Sequence, residues 1–520
     1  MSYDLTQAKE FKVPGVFRQA MIGQVGLLDP VKAINEIEQR VLENMQETLL
    51  AIDPLTGNII TQAADSFEVS ADGRVITFVL RPDLYFSNGQ KITAEDYAFA
   101  LRRHLDPQQK SVYRSYVINI QGAVELMEGM FYHPQKIGIK ATVQRGKQVL
   151  IITLANPYPK ILYFFAHVAS SPLHRESVEK EGEKHFALGH MHASGPFIGT
   201  QKKDDLLIFA KNPHYKSEYP LQLKQVQLYL FDNVAKAEKA FLKGEIDQFG
   251  TRKYPVSQRM IQKLKGSDVL FFQPDLRTFF IRFHNRHVPT GEYKIRQALS
   301  MALNRDEIAT LALTSSENKS FSITPNQQHL YDPPHSYYYD LSSAIDILKS
   351  SGFCVDGLQN QCIDLPALEI IFPKSLLAQK VVLLIQSQWE KLGFHVIGLQ
   401  SIPAEKFVAE IDRGLFMVAL DEIAVDTFHF FDLLHSFAST QATSIGVQSK
   451  YYDELIEKAS KATLWTDAVS TYRQAEGLLL REASVVPLFQ TTTPFVKALY
   501  VKGFAANLWD VHRWKNISIE

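Results

Sequence analysis

The stretch 368–399 constrains the fold of this chain most strongly, because it contains a strand, a helix and a second strand in succession. Apolar and β-branched residues predict the two strands at 368–372 and 394–399. Apolar positions through Trp389 predict a long helix between them, which stops at Gly393. Strands joined by a helical crossover lie parallel in one sheet. This part of the chain is therefore predicted to be α/β.

Three further helices follow from capping residues and apolar spacing. Thr93 and Asp340 are side chains typical of helix starts, and each precedes a segment with apolar residues at helical spacing. Five apolar positions within 295–303 lie on one face of a third helix. Arg296 and Arg305 fall outside that apolar stripe, so both are expected on a solvated face.

The first half of the chain has more predicted strands and fewer helices. Its β-branched and aromatic stretches lie at 75–80, 149–154, 206–210 and 226–231. This mixture predicts two α/β lobes with an extra strand-rich domain.

Composition limits the class of protein. With 46% hydrophobic and 21% charged residues, the 520-residue chain is globular, and its length corresponds to about three domains. The formal net charge is -1, so no overall field attracts nucleic acid or anionic lipid.

Apolar runs fall short of the roughly 18 residues that a membrane helix needs. The N-terminal MSYDLTQAKEFKVPG lacks a basic segment followed by an apolar one, so either there is no export signal or it has been removed.

Sequence signatures of common enzymes are absent: there is no GxxxxGK[ST], GxGxxG after a strand, HExxH or GxSxG. The densest histidine cluster is His185, His190 and His192, of which the last two would share one face of a strand. No acidic or cysteine ligand stands at a fixed offset to complete a metal site, so neither a metal nor a cofactor is expected. A peptidase that uses these histidines is kept as the enzymatic alternative.

Cys354 and Cys362 are the two cysteines of the chain and flank an Asp-Gly turn. This spacing predicts a small hairpin closed by a disulfide, provided that the compartment is oxidising. The alternative is a pair of unpaired thiols.

A collinear series of motifs covers nearly the whole chain and resembles the dipeptide- and oligopeptide-binding receptors of ABC importers. The longest similar block is 47–107, with its Asp-Gly turn, Leu-Arg strand end, Phe-Ser-x-Gly loop and Thr-Ala-Glu-Asp helix start. Further matches are Leu28-Asp29-Pro30, Gly195-Pro196-Phe197, Asn212-Pro213-x-Tyr215, Gly244-Glu245-Ile246-Asp247, Ile295-Arg296-Gln297-Ala298-Leu299 and Val486-Pro487-Leu488-Phe489.

The resemblance implies an α/β, two-lobed periplasmic-binding-protein-like fold of the large cluster C type, with an additional α+β domain inserted in the first lobe. The first lobe would comprise 1-46, 165-274 and 488-520, the inserted domain 47-164, and the second lobe 275-487. Such a protein is not an enzyme. It is a monomer outside the cytoplasm that closes on a peptide and delivers it to ABC permease subunits, and any signal or membrane anchor would lie outside this sequence.

The strand at 416–426 resembles the family segment that ends in the aspartate binding the α-ammonium of the ligand. Asp426 occupies that place, preceded by the expected ligand-lining residues Glu422, Ile423 and Ala424. A desolvated ammonium needs a carboxylate partner, since an unpaired buried charge is costly. Leu420 stands where related receptors can place a base for the ligand carboxylate.

The resemblance assigns further cleft residues in the first part of the chain. Tyr113 lies in Ser-x-Tyr-x-Ser-Tyr, His167 matches a cleft histidine, and Phe249 and Gly250 form a ligand-lining turn. Asn35 completes the expected ligand-binding set. For Tyr113 and His167 the alternative is an ordinary buried tyrosine and a hydrogen-bonded histidine.

Strand alternation places Leu420, Glu422, Ala424 and Asp426 on one face, which would offer two carboxylates and no base. Ligands with an additional amino group, or recognition of the ligand carboxylate elsewhere, for example by His167, are therefore expected. The alternative is that Glu422 points to solvent at the edge of the lobe. The changes at Leu420, Ile423 and Thr427 also keep open a receptor for glutathione, an oligosaccharide, a nickel chelate or haem.

Overall fold

The computed structural model of the chain describes residues 12–130, 136–313, 318–325, 331–353, 355–356, 362–363, 365–424, 431–441, 449–463 and 465–520. It divides into two compact units, the first formed by Met1–Gln273 with Thr493–Glu520 and the second by Pro274–Thr492. The boundaries expected for the lobes and the inserted domain stay a prediction.

The strands are, in chain order, β1 (Val16–Ile22), β2 (Leu50–Ile52), β3 (Ile59–Thr61), β4 (Ala64–Val69), β5 (Val75–Leu80), β6 (Ile139–Gln144), β7 (Lys147–Thr153), β8 (Phe197–Lys203), β9 (Leu206–Lys211), β10 (Gln225–Phe231), β11 (Gln248–Phe249), β12 (Leu270–Phe283), β13 (Val355–Asp356), β14 (Cys362–Ile363), β15 (Leu368–Pro373), β16 (Val396–Ile402), β17 (Val418–Ala424), β18 (Val485–Lys497), β19 (Val501–Lys502) and β20 (Ser518–Ile519).

The α-helices are α1 (Glu36–Met45), α2 (Ala94–Leu105), α3 (Arg114–Val117), α4 (Ala123–Met127), α5 (Ile161–Ala166), α6 (Arg175–Glu181), α7 (Val234–Leu242), α8 (Gln258–Lys263), α9 (Tyr293–Met301), α10 (Arg305–Leu313), α11 (Leu341–Ser350), α12 (Leu376–Glu390), α13 (Ala404–Arg413), α14 (Asp432–His435), α15 (Lys450–Ser460) and α16 (Trp465–Arg481). In the described ranges, none of these helices has both the length and the apolar character needed to cross a bilayer.

The first unit contains a mixed sheet whose strands follow the order β11-β1-β10-β9-β8, with the C-terminal end of β18 beside β11. Strand β1 runs parallel to both of its neighbours, so that Gln19 lies opposite Leu228 on one side and Gln248 on the other. Trp514 packs edge-on against Phe197 in the core beside this sheet, with ring centroids 5.8 Å apart.

A second, antiparallel sheet of the first unit has the order β4-β5-β7-β6, and α2 packs beside it. The predicted strand 75–80 and the predicted helix start at Thr93 are both confirmed. Asp96 closes the start of α2 by accepting a hydrogen bond from the backbone N–H of Thr93 at 2.8 Å.

The second unit confirms the strand–helix–strand unit that the sequence predicts. Strand β15 pairs in parallel with β16 and with β17, and α12 connects β15 to β16. Strand β12 pairs antiparallel with β17. Trp389 of α12 is buried in the core and donates its indole N–H to the Leu299 carbonyl oxygen at 2.9 Å.

The expectation that Arg296 and Arg305 lie on a solvated face is wrong. Their exposed fractions are 5% and 2%. Arg296 donates to the carbonyl oxygens of Thr290, Gly291 and Glu482. Arg305 donates to the Pro487 carbonyl oxygen at 2.7 Å, and to the Tyr337 carbonyl oxygen and the Ser336 hydroxyl oxygen at 3.1 Å each. Segments distant in sequence thus cover both guanidinium groups, and burial lowers the pKa of Arg305 to about 9.

Candidate functional site

Strand β17 carries three of the expected ligand-binding residues: Glu422, Ile423 and Ala424. Leu420 is fully buried, whereas Glu422 and Ala424 are exposed, so the strand leaves the core over these last residues. Asp426 lies outside the described residues, and its assignment to the ligand ammonium stays a prediction.

A base lies beside this strand end, contrary to the expected acidic face without one. Strand β12 places Arg277 opposite Ala424, and the Arg277 Nη1 lies 2.6 Å from the Glu422 Oε1. The Glu422 side chain is 37% exposed, but the partial burial of its carboxylate still raises its pKa, whereas the Arg277 charge acts in the opposite direction. The pattern of one strand could not show this ion pair, because the base comes from the neighbouring strand.

Tyr113 contacts the segment just before α1. Its hydroxyl donates to the Ala33 carbonyl oxygen at 2.5 Å and accepts a hydrogen bond from the Gln39 Nε2 at 3.0 Å. The side chain is largely buried, which raises the pKa of Tyr113 to about 12. The hydroxyl therefore stays protonated at neutral pH and can act as a hydrogen-bond donor.

His167 contacts Tyr113, with ring centroids 5.0 Å apart. Its Nδ1 accepts a hydrogen bond from the Ala169 backbone N–H at 3.1 Å, which caps a short helical turn. Burial, together with the nearby His104, lowers the pKa of His167 to about 3. The imidazole is thus neutral at physiological pH and offers no positive charge to a ligand carboxylate.

Asn35 holds the start of α1. Its Oδ1 accepts a hydrogen bond from the Ile37 backbone N–H at 2.8 Å, and its Nδ2 donates to the Gln24 carbonyl oxygen at 3.1 Å. The oxygen and the nitrogen of the amide therefore both fix the backbone nearby. In its described contacts, Asn35 acts as the N-cap of α1.

The turn after β11 meets the same segment from another side. The Phe249 ring is fully buried in a core cluster. Gly250 has a φ of +115°, and a Cβ at this position would lie 2.7 Å from the Phe495 Cα. The next residue, Thr251, donates its hydroxyl hydrogen to the Glu36 Oε2 at 3.1 Å. A glycine is therefore required for the turn to approach β18 and present Thr251 to α1.

The structure thus brings the expected residues of the first unit together around residues 33–36. Tyr113 and His167 lie on the Ala33 side, and the Gly250 turn reaches Glu36 through Thr251. Glu36 and Gln39 were not among the predicted site residues. Only the acidic first turn of α1 could have drawn attention to Glu36.

The histidine cluster differs from its expected geometry. His185 lies in a short 3-10 helix that ends at Phe186, and His190 and His192 lie in the loop before β8 and not on a strand. The rings of His174 and His185 lie 4.9 and 5.6 Å, respectively, from the His192 ring. Among the residues that the structure describes, no three His, Cys, Asp or Glu side chains are grouped so as to hold a metal ion.

The cysteine hairpin is described in its backbone only. Strands β13 and β14 pair antiparallel, with Asp356 opposite Cys362. Cys354 and the side chain of Cys362 lie outside what the structure describes, so the disulfide between them stays a prediction.

Comparison with known proteins agrees with this fold. Residues 58–444 match the family described as bacterial extracellular solute-binding proteins, family 5 Middle. The fold superposes on a solved structure described as the unliganded open form of the MppA periplasmic murein tripeptide binding protein. The TM-score is 0.85 at 23% sequence identity, and the superposition covers 97% of both chains. The predicted α/β fold of the periplasmic-binding-protein type is thereby confirmed.

Three proteins of Escherichia coli are similar over most of their length. The periplasmic murein peptide-binding protein MppA is 24% identical over 493 residues, 92% of this chain and 88% of that protein. The probable deoxycholate-binding periplasmic protein YgiS is 24% identical over 504 residues, with coverages of 94% and 90%. The periplasmic oligopeptide-binding protein OppA is 24% identical over 495 residues, with coverages of 92% and 88%. Each is named for binding a ligand and none for a reaction, which agrees with the expectation of a non-enzymatic protein.

Proposed function

Because the chain belongs to the bacterial extracellular solute-binding proteins of family 5, we propose that it captures oligopeptides outside the cytoplasm and delivers them to the permease of an ABC importer. The observation that carries the proposal is the similarity to proteins named for binding murein peptides and oligopeptides, which spans 92% of the chain in both cases. In this role the protein acts as a monomer and needs no cofactor.

The described residues offer two surfaces suited to a peptide. Strand β17 ends in exposed residues beside Arg277, so a peptide could add main-chain hydrogen bonds there. In the first unit, residues 33–36 are fixed by the Tyr113 hydroxyl and by Thr251. Fixing a binding segment in advance lowers the ordering cost of binding. Asp426 would pair with the peptide ammonium.

Isothermal titration calorimetry against a library of di- to pentapeptides tests the proposal, and mass spectrometry of material that co-purifies with the protein identifies the natural ligand. Saturable binding of at least one peptide class is expected. A folded protein that binds none of these peptides and co-purifies with none would contradict the proposal.

A second candidate is the same receptor role with a non-peptide ligand. It is favoured by the similarity to a relative named for probable deoxycholate binding, which covers 94% of the chain. Deoxycholate is therefore titrated alongside the peptides. Binding of deoxycholate without binding of peptides would favour this second candidate.

A further inference from the structure

Arg277 is a half-exposed cation of β12. It lies opposite Ala424, where the paired strands β12 and β17 pass from the core to the surface. Its neighbour on the same face of β12, Phe279, is buried and stacks on Phe489 with ring centroids 4.9 Å apart. The Arg277 side chain is 41% exposed, and that of its partner Glu422 is 37% exposed. Solvent, or a ligand, can therefore reach the guanidinium.

The described residues engage one of the donor nitrogens of the Arg277 guanidinium. Glu422 accepts a hydrogen bond through its Oε1 from the Arg277 Nη1 at 2.6 Å. Within the described ranges, the Nε and Nη2 of Arg277 have no hydrogen-bond acceptor. These two nitrogens form the edge of the guanidinium that binds both oxygens of a carboxylate in parallel.

Two other carboxylates that act on the charge of Glu422, those of Asp421 and Asp275, already have partners. Asp421 lies 2.9 Å from the Arg282 Nη2. Asp275 accepts hydrogen bonds from the Thr491 hydroxyl at 3.2 Å and from the Leu276 backbone N–H at 2.8 Å. Neither carboxylate therefore depends on Arg277 for its hydrogen bonds, and neither occupies the Nε or Nη2 of Arg277.

We propose that Arg277 binds a carboxylate of the peptide ligand and gives the receptor a preference for acidic peptides, while Glu422 competes with the ligand for part of the guanidinium charge. This inference rests on the proposed function and reverses the expected preference for an additional amino group. Leu420 carries no charge, and His167 is neutral at physiological pH because burial lowers its pKa to about 3. Arg277 is therefore the described residue beside Ala424 that can supply the positive charge.

Calorimetry with R277Q and E422Q tests the proposal. The probes are alanine tripeptides with Glu or Gln at each position in turn, and trialanine as free acid or C-terminal amide. The first series measures recognition of a side-chain carboxylate and the second recognition of the terminal one. R473Q is the matched control, because Arg473 is an exposed arginine of the same unit that contacts Asp332, with a 3.6 Å ion pair and a 2.8 Å hydrogen bond to the backbone carbonyl oxygen.

The two variants should act in opposite directions on acidic ligands. R277Q should weaken binding of the preferred acidic peptide roughly tenfold or more, and leave its neutral counterpart within about twofold. E422Q removes the competing carboxylate and should strengthen acidic-peptide binding by about threefold. R473Q should leave the affinities for both peptides unchanged.

Equal losses for acidic and neutral peptides in R277Q would overturn the proposal, and so would weaker acidic-peptide binding in both R277Q and E422Q. Either result would leave the proposed function intact. If the wild-type protein binds peptides of neither series or of the wider library, the proposed function itself fails, and this inference fails with it.

Discussion

The Tyr113 hydroxyl donates to the Ala33 carbonyl oxygen at 2.5 Å, and this contact ties a residue from the expected inserted domain to the segment that begins α1. The same oxygen of Tyr113 accepts a hydrogen bond from Gln39. One phenol thus fixes both the chain before α1 and its first turns. The contact positions residues 33–36, which include Asn35, a residue expected to bind the ligand.

Replacing Tyr113 by phenylalanine should therefore lower the free energy of unfolding by about 1 to 2 kcal/mol, because a buried carbonyl and an amide lose their partner. Urea denaturation of the purified protein measures this change. Y219F is the control, since Tyr219 is 72% exposed, and it should leave stability unchanged. Equal stability of Y113F and the wild-type protein would show that the hydroxyl contact contributes nothing.

Gly250→Ala should destabilise the protein by about 3 kcal/mol or more, because the residue needs a positive φ and has no room for a Cβ beside Phe495. Gly146→Ala is a matched control: its φ is +77°, but no atom lies within 4 Å of the added Cβ. The control should lose only about 1 kcal/mol. Thermal and urea unfolding measure both changes, and similar losses in the two variants would exclude a steric role for Phe495.

The elements predicted correctly are those determined by neighbouring residues. The unit at 368–399 depends on local apolar spacing. The start of α2 depends on a capping box that spans four residues. The burial of Arg305 and the pairing of Arg277 depend on chain segments far away in sequence. Glu422 lies 145 positions from Arg277, and only the register between β12 and β17 brings them together. A single sequence contains no local signal for such a register.

The site residues show the same division. Tyr113, Asn35 and Gly250 were placed by resemblance, and the structure adds what each contacts. The resemblance could not indicate that Asn35 caps α1 with both ends of its amide, because that depends on the distance to Gln24. It also could not indicate the neutral state of His167, since burial and the nearby His104 determine it.

His104 should make the protein less stable as the pH falls below about 6.5. It is fully buried, its Nε2 donates to the Ala169 carbonyl oxygen at 2.8 Å, and burial lowers its pKa from 6.5 to about 4. Between these two values the unfolded chain binds more protons than the folded protein, so protonation favours unfolding. The stabilisation is complete above the unfolded pKa and is lost as the pH falls toward 4.

Urea unfolding between pH 4 and 8 measures this effect in the wild-type protein and in H104Q. H104Q should be less stable at pH 7.5, and its stability should fall less steeply with decreasing pH, by up to about 1.4 kcal/mol per pH unit. H190Q is the control, because His190 is exposed, and it should retain the wild-type slope. An identical slope in H104Q and the wild-type protein would contradict the assignment.

Asp426→Asn should weaken peptide binding by about 2 to 5 kcal/mol if Asp426 pairs with the desolvated ligand ammonium, because the amide keeps the shape but removes the charge. N-acetylation removes the ammonium from the ligand side. Calorimetry of the wild-type protein and D426N with a free and an N-acetylated form of the same peptide therefore completes a double-mutant cycle. The acetylated peptide should bind both proteins with similar affinity, whereas the free peptide should distinguish them. If the affinity of D426N for the free peptide is within twofold of that of the wild-type protein, Asp426 does not bind the ligand ammonium.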